Sequence, residues 1–398
     1  MTTAPLAAPA AKPAQRLGTR YRFADDDMDL FFVAALGWGP AGGLVIGQAF
    51  HVAAQIADGD ADSWVRAFAA QGELLDAQAE AWLARGRRRE AGEARLQSFA
   101  AFRSAWQFAS PGPAFAAPYA RHQRAFRMAL DELSLPATFF ELPWEGAALP
   151  GVFLQNADRD APVALVIGGA DTCFEDLFLT AGRHLFERGY SVALVDLPGQ
   201  GITAAAGLHW PVEAERPIAA VTDLLVERFG ARPGRLALLG LSLGGYFVAR
   251  AAGHDDRFAT VMASTPFPDP ADLFAQSVRA GQAAAAGGTP TAAALRSRAV
   301  TFWKSGAADP ADFIARTAGM RADAARVDVP FLSVLGSGDS PVFAAQAHAW
   351  HAAIRSPRKR FVELDAASGA DGHVQVNNRR RLAQEVVAWM DEIFAQAR

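Results

Sequence analysis

Apolar residues recur at helical spacing through the first third of the chain. Trp64, Phe68, Leu74, Leu75, Ala79 and Trp82 form one such run, and Ala94, Leu96, Phe99, Phe102, Trp106 and Phe108 a second. Gly86 lies between them as a helix stop, and Ser110-Pro111-Gly112-Pro113 ends the second run. No strand-like run interrupts residues 25–110, and a further helix is expected over 119–133. Residues 21–135 therefore read as a helical N-terminal domain. Residues 1–20, rich in Ala, Pro and Thr, read as a flexible tail in front of it.

From about residue 136 the texture changes. Short β-branched and aliphatic runs predict strands at 137–142, 151–155, 163–167, 191–195, 236–239, 260–263, 331–335 and 361–364. Between and after them, helices are expected at 178–188, 217–229, 245–252, 344–354 and 380–397. Such alternation predicts an α/β core over 136–398, built on a mostly parallel eight-stranded sheet covered on both faces. The uninterrupted apolar run at 163–167 suits a central strand. Residues 268–327 read as helices and loops, too long for a plain connection. They are expected to form a cap inserted over the active site, with aromatic residues Phe267, Phe302, Trp303 and Phe313 in or beside it. Of these, Phe267 and Trp303 are candidates for substrate contact, with core packing as the alternative.

Residues 30–50 are uncharged and long enough to span a bilayer. Gly37, Gly39, Pro40, Gly42, Gly43 and Gly47 break that run, so two short buried segments joined by a turn are expected instead. The N-terminus lacks the basic start and apolar run of a signal peptide, which points to a cytoplasmic protein. A net charge of -4 and short basic runs at 87–89 and 358–360 carry no nucleic-acid footprint. The lone Cys173 permits no internal disulfide, and no Cys/His cluster has metal-ligand spacing, so no metal or cofactor is expected. With half the chain hydrophobic, a homodimer is expected.

Candidate chemistry centres on Gly240-Leu241-Ser242-Leu243-Gly244. This G-x-S-x-G directly follows one predicted strand and precedes a helix, the context of a nucleophile elbow. A serine hydroxyl there needs a base and an orienting acid, in the chain order Ser, Asp or Glu, His. Asp339 follows the strand at 331–335 on a glycine-containing turn, and Asp328, before that strand, is the weaker rival. Of eight histidines only His373 lies in a loop beyond the last strand, where the base belongs. Oxyanion donors are expected at the Leu243 and Ala170 amides, the latter in Gly168-Gly169-Ala170-Asp171 after the strand at 163–167.

Asp171 is either a local cap or an acid with a raised pKa that protonates a leaving group. Glu175 fits a capping box opened by Thr172, and Asp371 a turn. Asp196-Leu197-Pro198-Gly199-Gln200-Gly201 lacks the spacing of a dinucleotide or phosphate loop and reads as structural punctuation.

Together these motifs resemble the α/β-hydrolase branch that includes 2,6-dihydroxypseudooxynicotine hydrolase, FrsA-like proteins and fungal polyketide-shortening hydrolases. The matching pieces are Gly168-Gly169-Ala170-Asp171 with Glu175, the segment 196–201, Gly240-Leu241-Ser242-Leu243-Gly244-Gly245-Tyr246, Asp339 and His373, behind a helical N-terminal domain. The resemblance implies Ser242 as nucleophile, Asp339 as orienter, His373 as base and a catalytic acid at Asp171, where part of the family carries glutamate. It further implies cleavage of a carbon–carbon bond next to a ketone, and an N-terminal domain that helps form the pocket and the dimer. The resulting reading is a serine hydrolase acting on a small β-dicarbonyl, aryl ketone or polyketide-like substrate through an acyl-enzyme. An esterase or thioesterase, an acyl transferase or cyclase, and a non-catalytic binding protein of the same fold are the alternatives.

Overall fold

The computed structural model describes residues 15–287 and 289–395. Five helices lead: α1 (Asp26–Gly37), α2 (Ile46–Ala53), α3 (Ala61–Leu83), α4 (Arg88–Trp106) and α5 (Pro113–Glu132). Their starts are written locally. The Asp25 side chain accepts from the amides of Asp27 and Met28, and that of Asp60 from Asp62 and Ser63. The glycine-rich stretch breaks the uncharged segment into α1, a 3-10 turn at Gly39–Ala41 and α2. Among the described residues, no helix is long and apolar enough to cross a membrane. Arg95 of α4, wholly buried, pairs with Asp76 and Glu80 of α3 and Glu132 of α5, so one guanidinium ties three helices together.

A hairpin of β1 (Ala137–Trp144) and β2 (Ala147–Leu154) follows, closed by Glu145 and Gly146, both at positive φ. Then come β3 (Val163–Ile167), α6 (Phe174–Leu177), a π turn at Phe178–Gly182, α7 (Arg183–Glu187) and β4 (Ser191–Val195). The expected helix over 178–188 thus starts four residues earlier and carries a π turn. The chain continues through α8 (Glu215–Phe229), β5 (Leu236–Leu241), α9 (Leu243–Ala252), β6 (Phe258–Ser264) and the helices α10 (Pro270–Gly287), α11 (Ala292–Ser305) and α12 (Pro310–Thr317). It ends with β7 (Phe331–Gly336), α13 (Pro341–Ala353), β8 (Lys359–Leu364) and α14 (Arg379–Ala395).

The eight strands form one sheet in the order β1-β2-β4-β3-β5-β6-β7-β8. Pairs β1–β2 and β2–β4 are antiparallel and the rest parallel. Every residue of β3, β4 and β5 is buried, as solid apolar runs in a doubly covered sheet require. The N-terminal helices join α6 and α14 in the core of one face, while α8, α9 and α13 cover the other. After β3 the chain steps to β4 on one side and later returns to β5 on the other. A crevice opens where strand order reverses in this way, at the carboxyl ends of β3 and β5.

The described part of the expected tail is not free. The Ser340 amide donates to the Gln15 carbonyl and the His373 amide to that of Arg16. Residues 1–14 of that tail lie outside the described residues.

Candidate active site

Ser242 sits between β5 and α9 with φ 56 and ψ −120, a backbone conformation costly for any residue with a side chain. The neighbouring glycines make that turn possible. A Cβ at Gly244 would lie 2.5 Å from the Gly168 carbonyl oxygen, and one at Gly169 would lie 2.8 Å from Ser242 Cβ. The β3 exit loop therefore presses directly against the Ser242 turn.

His373 Nε2 lies 2.8 Å from Ser242 Oγ, and His373 Nδ1 lies 2.6 Å from Asp339 Oδ1. Asp339 stands just beyond β7 and is buried, and its second oxygen accepts from Thr265 Oγ1 at 2.8 Å. The Phe343 ring packs on the His373 ring at 4.8 Å, fixing its plane. Asp328, the rival acid, lies instead near Arg355 on the surface.

Three supporting residues escaped the sequence reading. Thr265, at φ 57, aims its hydroxyl at Asp339. Gln375, at φ 51 and fully buried, accepts from Ser264 Oγ at 2.8 Å, while the Ser264 carbonyl accepts from the Ser242 amide. Arg16 bridges Asp27 at 2.6 Å and Asp171 at 3.1 Å. No local pattern marks any of them, because each acts across more than seventy residues or lies in a stretch of low-complexity composition. Asp371 accepts from Asn377 Nδ2 and its carbonyl from the Gly338 amide, so it shapes the turn beneath Asp339.

Ala170 lines the same cleft as Ser242, and Leu243 follows Ser242 in the chain. Leu243 is the first residue of α9, so its N–H has no carbonyl a turn earlier to bond. The β3 exit loop is held from behind. Gln200 Nε2 donates to the carbonyls of both Gly168 and Gly169, at 3.1 Å to the latter, and Gln200 Oε1 accepts from the Leu197 amide at 2.9 Å. Lys304 Nζ of α11 donates to the Ala170 carbonyl at 2.9 Å. With its carbonyls turned back, the loop presents its amides forward. The segment 196–201 is thus more than punctuation. Replacing Gln200 with alanine is expected to lower kcat about tenfold to a hundredfold, with a smaller change in KM. Loosening an oxyanion donor loses part of the contribution that deleting one loses outright. Steady-state kinetics showing an unchanged kcat would remove this role.

Asp171, expected as either a local cap or an acid with a raised pKa, is held by two arginines. Its side chain is 35% exposed and ion-paired with Arg16, and its carbonyl accepts from Arg103. Glu175 is no cap either: the partner of the Cys173 N-cap is Asp176, while Glu175 turns inward. There it meets His122 Nε2 at 3.4 Å and Gln123 Nε2 at 3.2 Å. Burial opposes its ionisation, yet the charge and hydrogen bond of His122 hold its carboxyl below the ordinary value. Burial, and then Glu175, push the nearby Asp196 carboxyl well above the usual range. Tertiary folding brings His122, Cys173 and Glu175 together, with ligand atoms within 4.8 Å of one another, which spacing along the chain cannot reveal. The set is compact enough for a divalent cation, but His122 Nδ1 lacks the orienting partner that metal-bound imidazoles carry.

A cleft of about 660 Å³, counted out to its mouth, opens on Ser242 and His373. Its walls come from residue 16, α1, α4, the β3 exit loop and the start of α14, including Phe31, Trp38, Arg103 and Arg379. No described residue of 268–327 lines it, which corrects the expected cap: Phe274, Phe302 and Phe313 of α10–α12 pack on Trp210 and on each other instead. Phe267 is likewise a backing residue, buried against Phe343. Trp303 packs on Phe115, outside the cleft.

Comparison with known proteins matches this architecture. A model of the prolyl oligopeptidase family matches residues 179–397, more than half of the chain. The chain is 32% identical over 267 residues to 20-hydroxy-prefusarin hydrolase of Gibberella moniliformis, covering 63% of this chain and 62% of that one. It is 29% identical over 273 residues to the hydrolyase poxO of Penicillium oxalicum, covering 64% of each. The chain thus spans less than two thirds of the length of these curated relatives. Among solved structures, 2,6-dihydroxy-pseudo-oxynicotine hydrolase superposes with a TM-score of 0.72 at 19% identity, over 90% of this chain and 96% of that one, a likeness of fold. With its mostly parallel sheet and helical N-terminal region, the chain belongs to the prolyl oligopeptidase family and has the α/β-hydrolase fold.

Proposed function

We propose that the protein is a serine-nucleophile hydrolase that cleaves the carbon–carbon bond beside a ketone in a β-dicarbonyl, aryl ketone or polyketide-like substrate. The observation that carries this reading is the hydrogen-bonded relay Ser242–His373–Asp339 opening on a walled cleft. A relative of similar sequence is named a 20-hydroxy-prefusarin hydrolase, which supports hydrolysis of a small organic molecule.

In this reading the His373 Nδ1–H donates to Asp339, leaving Nε2 to take the Ser242 proton as Oγ attacks the ketone carbon. The Leu243 and Ala170 amides receive the oxyanion. As the carbonyl re-forms, the carbon–carbon bond breaks and its electrons leave as an enolate. The proton on His373 Nε2 neutralises that enolate. Water then gives a proton to His373 and its oxygen to the acyl-enzyme, releasing a carboxylic acid and restoring Ser242.

One observation favours ester or thioester cleavage as a second reading: the Asp171 carboxyl is taken up by Arg16 rather than standing free beside a leaving group. Matched β-diketone and alkyl-ester substrates distinguish the two. A kcat/KM higher for the β-diketone is expected, and the reverse order would make the protein an esterase. Asp171→Asn is expected to slow both substrates alike, by about tenfold, through a displaced Arg16 and loop. A loss of about a hundredfold confined to the β-diketone, the scale of general-acid help, would instead make Asp171 the proton donor. A homodimer fits the exposed apolar residues Val45, Ile46 and Phe50 on and beside α2.

A further inference from the structure

We infer that the cleft in front of Ser242 takes a substrate bearing a carboxylate, and that Arg379 is the residue that binds it. The inference deepens the hydrolase reading above and rests on it for the reaction, but its binding site stands on separate residues.

Three arginines are almost wholly buried, and they differ in what surrounds them. Arg95 has three carboxylates. Arg103 has Asp176 at 2.6 Å, and its other nitrogens reach Gln107 Oε1 and the Asp171 carbonyl. Arg379, 6% exposed, has no carboxylate within ion-pair distance among the described residues. Its Nη1 donates to Thr180 Oγ1 at 3.0 Å, and its Nε has no partner at all. A buried guanidinium left without a counter-charge is costly to the fold, the more so with N–H groups unmet. Burial, helped by the like charge of Arg103, pushes Arg379 down to about 10 against the pull of Asp176.

The guanidinium cannot relieve this by swinging out. The Trp38 ring lies against it at 5.2 Å and against Arg103 on another approach at 5.4 Å, and Trp38 Nε1 is itself tied to Thr180 Oγ1. Arg379 is therefore held in place, and it lines the same cleft as Ser242 and His373. Asp176 is engaged by Arg103, so Arg379 has no carboxylate of its own at that wall. Nε is sealed against the Gly37 backbone, so a carboxylate in the cleft would meet the remaining guanidinium nitrogen and supply the counter-charge there. Leu30, Phe31 and Ala34 of α1 furnish apolar surface between solvent and wall for the body of such a molecule. The substrate class is accordingly a keto acid with an apolar or aromatic body, its carboxylate on Arg379 and its carbonyl at Ser242.

Calorimetry on the Ser242→Ala protein tests binding without turnover. 4-Phenylbutyrate is expected to bind at least about tenfold more tightly than its uncharged amide. Adding Arg379→Met should abolish that preference with a loss of about a hundredfold in acid affinity, the scale of breaking one desolvated charge pair. Arg379→Lys, which keeps the charge without the fork and is the variant to rely on if the methionine protein melts early, should lose about tenfold. Equal binding of acid and amide, no binding of either, or a preference that survives both substitutions would overturn the assignment. In parallel, wild-type turnover of 4-nitrophenyl acetate and of mono-4-nitrophenyl glutarate separates the two claims. Carboxylate binding through Arg379 with neither ester hydrolysed leaves the subsite standing and sinks the hydrolase reading. Hydrolysis of the acetate with no Arg379-dependent preference does the opposite.

Discussion

Ser242→Ala is expected to lower turnover by about a millionfold and to leave the fold unchanged. The scale is that of removing the nucleophile from a serine hydrolase relay, where the remaining groups act only as a unit. Stability should hold, because the Ser242 side chain makes one recorded bond, to His373, and the turn it occupies is set by backbone contacts. Those contacts, the Ser242 amide on the Ser264 carbonyl and the Gly245 amide on the Ser242 carbonyl, survive the substitution. Single-turnover kinetics with a thermal melt provide the check. A folded variant retaining more than about one per cent of activity would exclude Ser242 as nucleophile.

Asp339→Asn is expected to cost about ten-thousandfold in kcat with little change in KM, through the tautomer of His373. In the native arrangement Asp339 only accepts: Oδ1 faces His373 Nδ1 and Oδ2 receives the Thr265 hydroxyl. An asparagine amide must point its NH2 at one of them. Facing His373, it forces the ring proton onto Nε2, where it blocks proton transfer from Ser242. Facing Thr265, it meets a hydroxyl that can turn and accept, leaving His373 correctly oriented but without a charge to stabilise its imidazolium. The two cases separate in the pH–rate profile, since only the first is rescued at alkaline pH. A loss smaller than about tenfold would remove Asp339 from the relay.

Much of this was legible along the chain because it is local. Solid aliphatic runs mark β3 and β4 to the residue, since a strand buried on both faces has no polar positions to blur its ends. The Ser242 elbow is equally local: strand, tight turn and helix occupy consecutive residues, and the glycines that let Gly168 approach lie beside the serine. Asp339 and His373 could be proposed because strand order puts loop residues after β7 and β8 at the same sheet edge.

What only the tertiary structure decided involves residues far apart in sequence. The cleft wall is a case: aromatic content pointed to residues 268–327, but Phe302 and Phe313 bury each other, and α1 and α4 reach Ser242 instead. A helix's apolar stripe reveals that it packs, not against what. Asp171 and Glu175 exchanged their expected settings for the same reason. Glu175 is buried by α5 and meets His122, while Asp171 is left half-covered and meets Arg16 from a segment expected to be loose. Arg379 is the clearest example. It stands among Arg379-Arg380-Arg381, three residues of one type that local sequence does not tell apart. Only the fold turns the first of these three side chains inward, beside Trp38 and away from any carboxylate. Charge type is a property of the residue, but whether a charge is paired depends on which distant atoms the packed core brings to it.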